Sequence, residues 1–210
     1  MQASSKTLPM WQILLCGAVI VSLAMGIRHG FGLWLQPMTQ ELGWGREDFA
    51  TAIGIQNICW GLFGIFSGML ADRFGAFRVM VVSALLYALG LWGMSHAVSP
   101  TYLSLTAGVM VGAAQAGTTF SMVFGVIGRN ISPEKRSWAM GVVSSAGSLG
   151  QFVFVPCSAY MIQHLGWQEA LWILAAGMLA VSPLILGLRE PGFAQGLSKP
   201  REQSIADRKS

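Results

Sequence analysis

The sequence is poor in charged residues. Asp, Glu, Lys and Arg make up 10% of the 210 residues, whereas a soluble domain carries about 25%. This number of charged residues is too small to form the polar surface of a water-soluble globular protein. The net charge of +4 would fit a nucleic-acid partner only if the basic residues formed a patch. They lie in separate segments, so we expect no nucleic acid among the partners.

Cysteine is also scarce, and the common catalytic motifs are missing. Cys16, Cys59 and Cys157 stand far apart in apolar runs, a pattern that fits neither a disulfide framework nor a metal site. We expect no metal and no cofactor. A membrane serine protease would need a Gly-x-Ser-Gly site, and the nearest run, 64–68, has the wrong spacing. Paired membrane aspartates, a zinc-protease motif and a phosphate-binding loop are absent too, so we expect no enzyme.

Long apolar runs, in contrast, are abundant. A bilayer core of about 30 Å needs about 20 apolar residues in a helix. Six segments meet this length: Met10–Leu35, Phe49–Leu70, Val79–Ala97, Thr101–Ile127, Trp138–Ile162 and Ala170–Leu188. The sequence therefore predicts an all-α membrane protein with a six-helix transmembrane bundle over residues 10–191. Residues 1–9 form a short N-terminus, and residues 192–210 form a hydrophilic tail that we expect to be disordered.

The basic residues predict the orientation in the membrane, because cytoplasmic loops carry an excess of Lys and Arg. Both termini and the second and fourth loops share eleven of the thirteen, and the remaining loops hold only Arg46. The eleven are Lys6, Arg73, Arg78, Arg129, Lys135, Arg136, Arg189, Lys199, Arg201, Arg208 and Lys209. We therefore expect both termini in the cytoplasm.

Tryptophans and small residues fit the same arrangement. Most tryptophans mark the predicted helix ends, as interfacial anchors do; Trp34 and Trp167 belong to the outer group, and Trp60, in mid-helix, is expected to pack. Small residues four apart allow close approach of helices in lipid, either as plain packing contacts or as sliding surfaces. These pairs are Gly26/Gly30, Gly64/Gly68, Gly108/Gly112 and Ala146/Gly150.

The predicted loop between helices 2 and 3 carries the most specific motif. It contains, in order, Gly68, Asp72, Arg73, Gly75 and Arg78. This pattern resembles the signature found between helices 2 and 3 of the major facilitator superfamily, although Ala76–Phe77 replaces a more basic run. The resemblance implies a gating loop in which the glycines permit tight packing and the carboxylate faces a positive helix N-terminus. Gly141, Gly150 and Pro156 resemble, in part only, a glycine–proline motif in helix 5 of the same family.

The resemblance covers only half of that family's architecture, in which two six-helix halves enclose a site near the middle of the membrane. The tail is similar to the start of the loop that joins the halves. Two alternatives follow. The chain acts as the N-terminal half of a secondary transporter working by alternating access, or it is a truncated or split half with no activity alone. The expected partners are the lipid bilayer and either a second six-helix unit or a second copy.

Arg28 is the one basic residue inside a predicted membrane helix. Such charges are costly in lipid and usually face an interior cavity with a function. Its guanidinium fits a carboxylate through two parallel hydrogen bonds, so it is the first candidate for binding an anion. The alternative is that it reaches the interface or bonds to carbonyl groups within the bundle. No Asp or Glu lies deep in any predicted helix to pair with it.

Four further polar residues could line the same cavity. Gln115 ranks first, because helices 1 and 4 line the path in the family that the loop motif resembles; Asn57, at nearly the depth of Arg28, follows, with Tyr87 and Gln151 behind. Each could instead make an interhelical hydrogen bond. The run that follows Arg28 resembles bacterial members of the monocarboxylate and oxalate/formate-type branches. That resemblance implies small organic anions as substrates and the bacterial inner membrane as location. The coupling of substrate transport to a proton would then depend on a second half or on His29; anion exchange would need no proton site.

Overall fold

The computed structural model describes residues 8–189, so the predictions for most of the N-terminus and for the 192–210 tail lie outside it. Within this range the chain is helical and has no strand. Six helices are long and apolar enough to cross a membrane, which confirms the predicted fold class. Numbered in chain order, they are α1 Met10–Leu42, α2 Arg46–Phe74, α3 Ala76–Ser95, α4 Pro100–Asn130, α5 Pro133–Leu165 and α6 Trp167–Leu188.

The helices are longer, and the connections shorter, than the sequence predicted. Four predicted breaks are too wide, because polar residues near a membrane surface can remain helical once water can reach their side chains. Those breaks were 37–48, 72–78, 129–137 and 163–169. In the structure α2 meets α3 at Gly75 alone, and α5 meets α6 at Gly166 alone. Both glycines have positive φ angles, 89° and 102°, a conformation that a residue with a side chain rarely adopts.

The first helix continues beyond its predicted end at Leu35 and passes through Pro37. An α-helix over Met10–Gly30 passes into a 3₁₀ turn, Phe31–Trp34, and resumes as Leu35–Leu42. Pro37 lies in the first turn of this resumed segment, where a missing N–H is tolerated. The extension therefore rises beyond the apolar part of α1 and reaches the start of α2.

The packing places α1 and α4 inside and leaves α2 and α5 at the flanks. α1 packs along α5, α3 packs against α6 and α4, and α2 packs against α4. In the most apolar stretch of α2 only 17% is buried, and in that of α5 22%, against 61% in α1 and 67% in α4. One face of each flanking helix is therefore uncovered by the described residues.

Small residues bring the helix backbones together at two of the four predicted pairs, Gly108/Gly112 and Ala146/Gly150. A side chain at Gly150 would meet the backbone of Ser22, and one at Gly112 would lie 2.6 Å from the Gln56 carbonyl oxygen. Gly26 instead lies against the side chain of Phe154. The remaining pair is Gly64/Gly68, where nothing described lies within 4 Å. These two glycines belong to the uncovered face of α2.

The two ends of the bundle differ in charge and in the role of tryptophan. We call the end with Gly75 the basic end, because Arg73, Arg78, Arg129, Lys135 and Arg136 lie there, and the end with Gly166 the opposite end. Trp11 and Trp138 are exposed at the basic end, and Trp92 and Trp172 at the opposite end, as interfacial residues would be. Trp34 and Trp167 are instead buried: the Trp34 indole donates to the Trp167 carbonyl, and the Trp167 indole donates to Glu41. These two residues therefore pack inside the bundle, and their predicted position at the membrane interface stays a prediction.

Candidate functional site

Arg28 reaches from α1 across to α2. Along the membrane-spanning part of α1, these two helices are not among the closely packed pairs of the bundle, and α2 contacts the first helix mainly at the Leu35–Leu42 extension. The guanidinium bridges the gap: Arg28 Nη2 donates to Asn57 Oδ1 at 2.7 Å. Asn57 Nδ2 in turn donates to the Ile53 carbonyl oxygen at 2.9 Å. The structure thus brings together the two residues that the sequence placed at similar depth.

Trp60 is the third member of this group, and the sequence did not identify it. The guanidinium carbon of Arg28 lies 4.2 Å from the centroid of the Trp60 ring, in cation–π geometry. Asn57 and Trp60 are three residues apart on α2, so they present neighbouring side chains on one helix face. Trp60 therefore contacts the membrane-embedded charge, where simple packing was expected. We call Arg28, Asn57 and Trp60 the arginine cluster.

The arginine cluster contains no carboxylate. Among residues 8–189, every Asp and Glu lies at the end of a helix or next to one, and Asp72 forms an ion pair with Arg129 at the basic end. Arg28 Nε is buried and has no hydrogen-bond partner within the described part of the chain. The guanidinium thus keeps its positive charge and an unused donor in a half-buried position.

Tyr87 and Gln115 form a second polar group, one helical turn nearer the basic end. The Tyr87 hydroxyl donates to the Ala24 carbonyl oxygen, and Gln115 Nε2 donates to the Tyr87 oxygen, both at 3.4 Å. Ala24 precedes Arg28 by one turn of α1. Both side chains are fully buried where α1, α3 and α4 meet. In this conformation the two side chains link helices and expose no surface to a solute, as expected if they make interhelical hydrogen bonds. Gln115 Oε1 has no hydrogen-bond partner within the described residues.

Gln151 lies apart from both groups. α1 and α5 run parallel, and Gly26 faces Phe154 while Gly30 lies near Ser158, so Arg28 is level with Pro156. Gln151 then lies about 7 Å nearer the basic end, at 1.5 Å per residue. It is half-buried, and no hydrogen bond joins it to the arginine cluster.

His29 also points away from the cluster. Its side chain is exposed, and its Nδ1 lies 2.9 Å from the Met25 carbonyl oxygen on its own helix. Because that carbonyl can only accept, Nδ1 carries the proton in this contact. The structure therefore does not join His29 to the candidate anion site.

The helix behind the site departs from regular α geometry. Ser104–Met110 of α4 forms a π-helix, a feature often found at functional sites. Gln56, the residue before Asn57, donates from Nε2 to the Ala107 carbonyl oxygen at 2.8 Å in this stretch. α2 is thereby fixed to α4 through a buried side chain, while Asn57 on the next position faces the gap between α1 and α2.

The predicted gating loop is mostly helical, so its description as a loop was wrong. Gly68, Asp72 and Arg73 lie in the last turns of α2, Gly75 is the connection, and Arg78 lies in the first turn of α3. The Gly75 N–H donates to the Ala71 carbonyl oxygen at 2.9 Å and so continues the hydrogen-bond pattern of α2 up to the connection.

Asp72 meets a residue of α4 that the sequence did not select. Its Oδ1 lies 4.0 Å from Nη1 of Arg129, and both residues border a cavity of about 100 Å³ at the basic end. Gly68 and Gly125 form part of the wall. Both charges are accessible to solvent, so the pair is a weak contact that a competing group could separate.

Comparisons with known proteins agree with this architecture. The family model described as Major Facilitator Superfamily matches residues 14–209. The structure resembles the inward-open conformation of the xylose transporter XylE from E. coli, with a TM-score of 0.71 and 12% sequence identity, over 96% of this chain and 55% of that one. At this identity the likeness establishes the fold alone.

Curated relatives are similar in sequence over most of this chain. Monocarboxylate transporter 13 of Bos taurus is 27% identical over 168 residues, which is 79% of this chain and 38% of the relative. The uncharacterized MFS-type transporter YcxA of Bacillus subtilis is 24% identical over 191 residues, 88% of this chain and 46% of the relative. The chain thus spans less than half of the length of either relative.

Proposed function

Since the chain belongs to the Major Facilitator Superfamily, we propose that it forms one six-helix half of a secondary transporter that moves small organic anions by alternating access. It is a multi-pass membrane protein of a transporter family. The substrate class, the location of its site and the need for a second half are the parts that we propose.

The single observation that supports an anionic substrate is the environment of the Arg28 side chain. It lies deep in α1, its Nη2 is held by a neutral amide, and its Nε has no partner. A positive charge without a counter-charge in a membrane is stabilised by binding an anion, and a carboxylate can accept two hydrogen bonds from one guanidinium edge. Monocarboxylate transporter 13 among the relatives supports the same substrate class.

The uncovered faces of α2 and α5 support a site shared with a second six-helix unit. Arg28 extends toward α2, and Asn57 beside it is exposed. In transporters built from repeats, the substrate lies between two such units, which move against each other. Asp72 and Arg129 at the basic end would then act as a gate that opens and closes with this movement, together with Gly68, Arg73, Gly75 and Arg78.

A second candidate has the same structural support. If the chain is a truncated or split half, the uncovered faces of α2 and α5 would bind a second six-helix unit. The chain would then transport nothing alone. The Lys/Arg distribution supports cytoplasmic termini in both cases, and the bacterial inner membrane remains the proposed location. Gln115, Tyr87 and Gln151 remain predicted site residues that another conformation would have to expose.

The proposal is tested by replacing Arg28 in the transport-competent assembly. Arg28→Ala removes the charge, and we expect uptake of radiolabelled monocarboxylates to fall to background. Arg28→Lys keeps the charge but loses the two-donor edge, so at most weak uptake should remain. Arg189→Ala, at the end of α6, is the matched control. Normal uptake by Arg28→Ala at equal expression would contradict the substrate role.

A further inference from the structure

The hydrogen bonding of Arg28 is incomplete on one edge. Nε–H and Nη2–H lie side by side in the guanidinium plane and together fit the two oxygens of a carboxylate. In the structure Nη2 donates to Asn57 Oδ1 at 2.7 Å, while the neighbouring Nε is buried and unpaired. The single amide oxygen of Asn57 accepts from Nη2 alone in this geometry, so only half of this edge is satisfied.

Asn57 is itself held in place by its own helix. Its Nδ2 donates to the Ile53 carbonyl oxygen at 2.9 Å, which turns the amide oxygen toward Arg28. The Trp60 ring, 4.2 Å from the guanidinium carbon, covers one face of the guanidinium plane. A ligand must then approach within the plane, at the edge that Asn57 now occupies in part.

We infer that Asn57 holds the place of one carboxylate oxygen in the empty transporter and is displaced when the anion binds. This inference rests on the proposed role of Arg28 as the anion-binding residue. The bound carboxylate takes both Nη2–H and Nε–H, so the buried donor gains the partner it lacks. Asn57 thereby selects planar acceptors with two oxygens over neutral amides, which could only replace one amide oxygen by another.

The inference predicts opposite effects for two substitutions at one position. Asn57→Asp is isosteric and supplies a carboxylate from the chain itself, so it should occupy the whole edge and weaken anion binding at least tenfold. Asn57→Ala removes the competing oxygen, so binding should be as tight as in the wild type or several-fold tighter. A residue that contacted the substrate directly would lose affinity in both variants.

The test uses the full chain, labelled with ¹⁵N-arginine. The protein is extracted from the membrane in detergent and purified in the oligomeric state that it has after extraction. Acetate is the probe and acetamide its uncharged isostere. Acetate should shift the Arg28 Nε–H signal, which Arg28→Lys assigns by its loss, and acetamide should not. Ligand-free Asn57→Asp should already show a signal close to that of the acetate-bound wild type. Gln163→Glu, at an exposed site on α5, is the charge-matched control and should bind as the wild type does.

The outcomes separate the two proposals. If Arg28→Ala binds acetate as the wild type does, the anion-binding role of Arg28 fails. If Arg28 is required but Asn57→Asp binds acetate normally, or a folded Asn57→Ala loses binding as fully as Arg28→Ala, only the displacement of Asn57 is overturned. Thermal unfolding of each variant identifies a misfolded protein, and the Nε–H signal of ligand-free Asn57→Asp then decides the question independently of affinity.

Discussion

At the scale of single residues, the guanidinium of Arg28 lies in a membrane-spanning helix, where a charge is energetically costly. The groups that contact it are neutral. Arg28 has an amide on its edge and an indole on its face. This arrangement keeps the charge available, because a resident carboxylate would have neutralised it. The unpaired Nε is consistent with the proposal that this edge binds an anion.

Trp60 should contribute to anion binding by fixing the guanidinium plane. A cation–π contact is worth about 0.5–2 kcal/mol, and about 1.4 kcal/mol corresponds to a tenfold change. We expect Trp60→Leu to weaken acetate binding by about 2- to 30-fold, and Trp60→Phe, which retains an aromatic face, to weaken it less. Trp11→Leu, an exposed tryptophan at the basic end, is the control in the same titration. Equal loss in the Leu and Phe variants would contradict the orienting role of the ring.

The sequence predicted part of this cluster. Arg28 could be selected because a charge in an apolar run stands out, and Asn57 because counting residues from the helix ends gives depth. Trp60 could not, because stacking on Arg28 depends on the gap between α1 and α2, which no local pattern encodes. For Tyr87 and Gln115 polarity suggested a cavity, but burial between three helices depends on the complete packing.

At the scale of helices, the bundle depends on a few close backbone contacts. α1 and α5 meet where Gly150 lies against the backbone of Ser22, and the Ser22 hydroxyl donates to the Ala146 carbonyl oxygen at 2.6 Å. A side chain at Gly150 would have to displace backbone, which cannot rotate away as a side chain can. This contact fixes the helix that carries Arg28.

Gly150→Val should therefore destabilise the bundle, while a glycine in open space on the same helix should tolerate the same change. Overpacking typically costs about 1–3 kcal/mol, and we expect a lower unfolding temperature and reduced monodispersity in detergent. Gly141→Val is the matched control, since nothing described lies within 4 Å of Gly141. Thermal unfolding followed by light scattering measures both. Similar loss in the two variants would mean that helix propensity, not contact with Ser22, sets the effect.

Helix number and order followed from the sequence, whereas helix ends did not. Apolar length gives the membrane-crossing part, but polar residues beyond it carry no signal for where the helix stops. A break was predicted from Pro37 onward because a proline normally breaks a helix, and the 3₁₀ turn at Phe31–Trp34 that starts a new segment has no sequence signature. In the structure two of the helix junctions fall at Gly75 and Gly166, where positive φ angles interrupt the helix.

At the scale of the whole molecule, the described chain has a covered side and an uncovered one. Gly54, Gly61 and Gly68 recur every seven residues on α2, with nothing in the described chain within 4 Å of them. A line of glycines forms a groove between the neighbouring side chains, and small residues allow another helix to approach closely. The proposed site opens toward this side. Activity should therefore depend on assembly with a second unit.

We expect transport by the purified chain in liposomes to follow its assembled mass. Gly61→Leu fills the groove of α2 and should lower both the assembled fraction in native mass spectrometry and the flux. Val82→Leu, at an exposed position on α3, changes the surface elsewhere and should leave both unchanged. Flux from a monomer would contradict the need for a second unit. No flux from the wild type in any state would favour the truncated or split half.

The single-residue connections at Gly75 and Gly166 make these two helix junctions difficult targets for reagents that need a loop. Proteases and inserted epitopes succeed at exposed, flexible loop tips, and a lone glycine at φ 89° or 102° offers none. Insertion there would also rotate every residue of the following helix. Antibodies or nanobodies raised against the α5–α6 edge would therefore have to recognise folded surface from both helices, and would report on its shape rather than on a linear peptide.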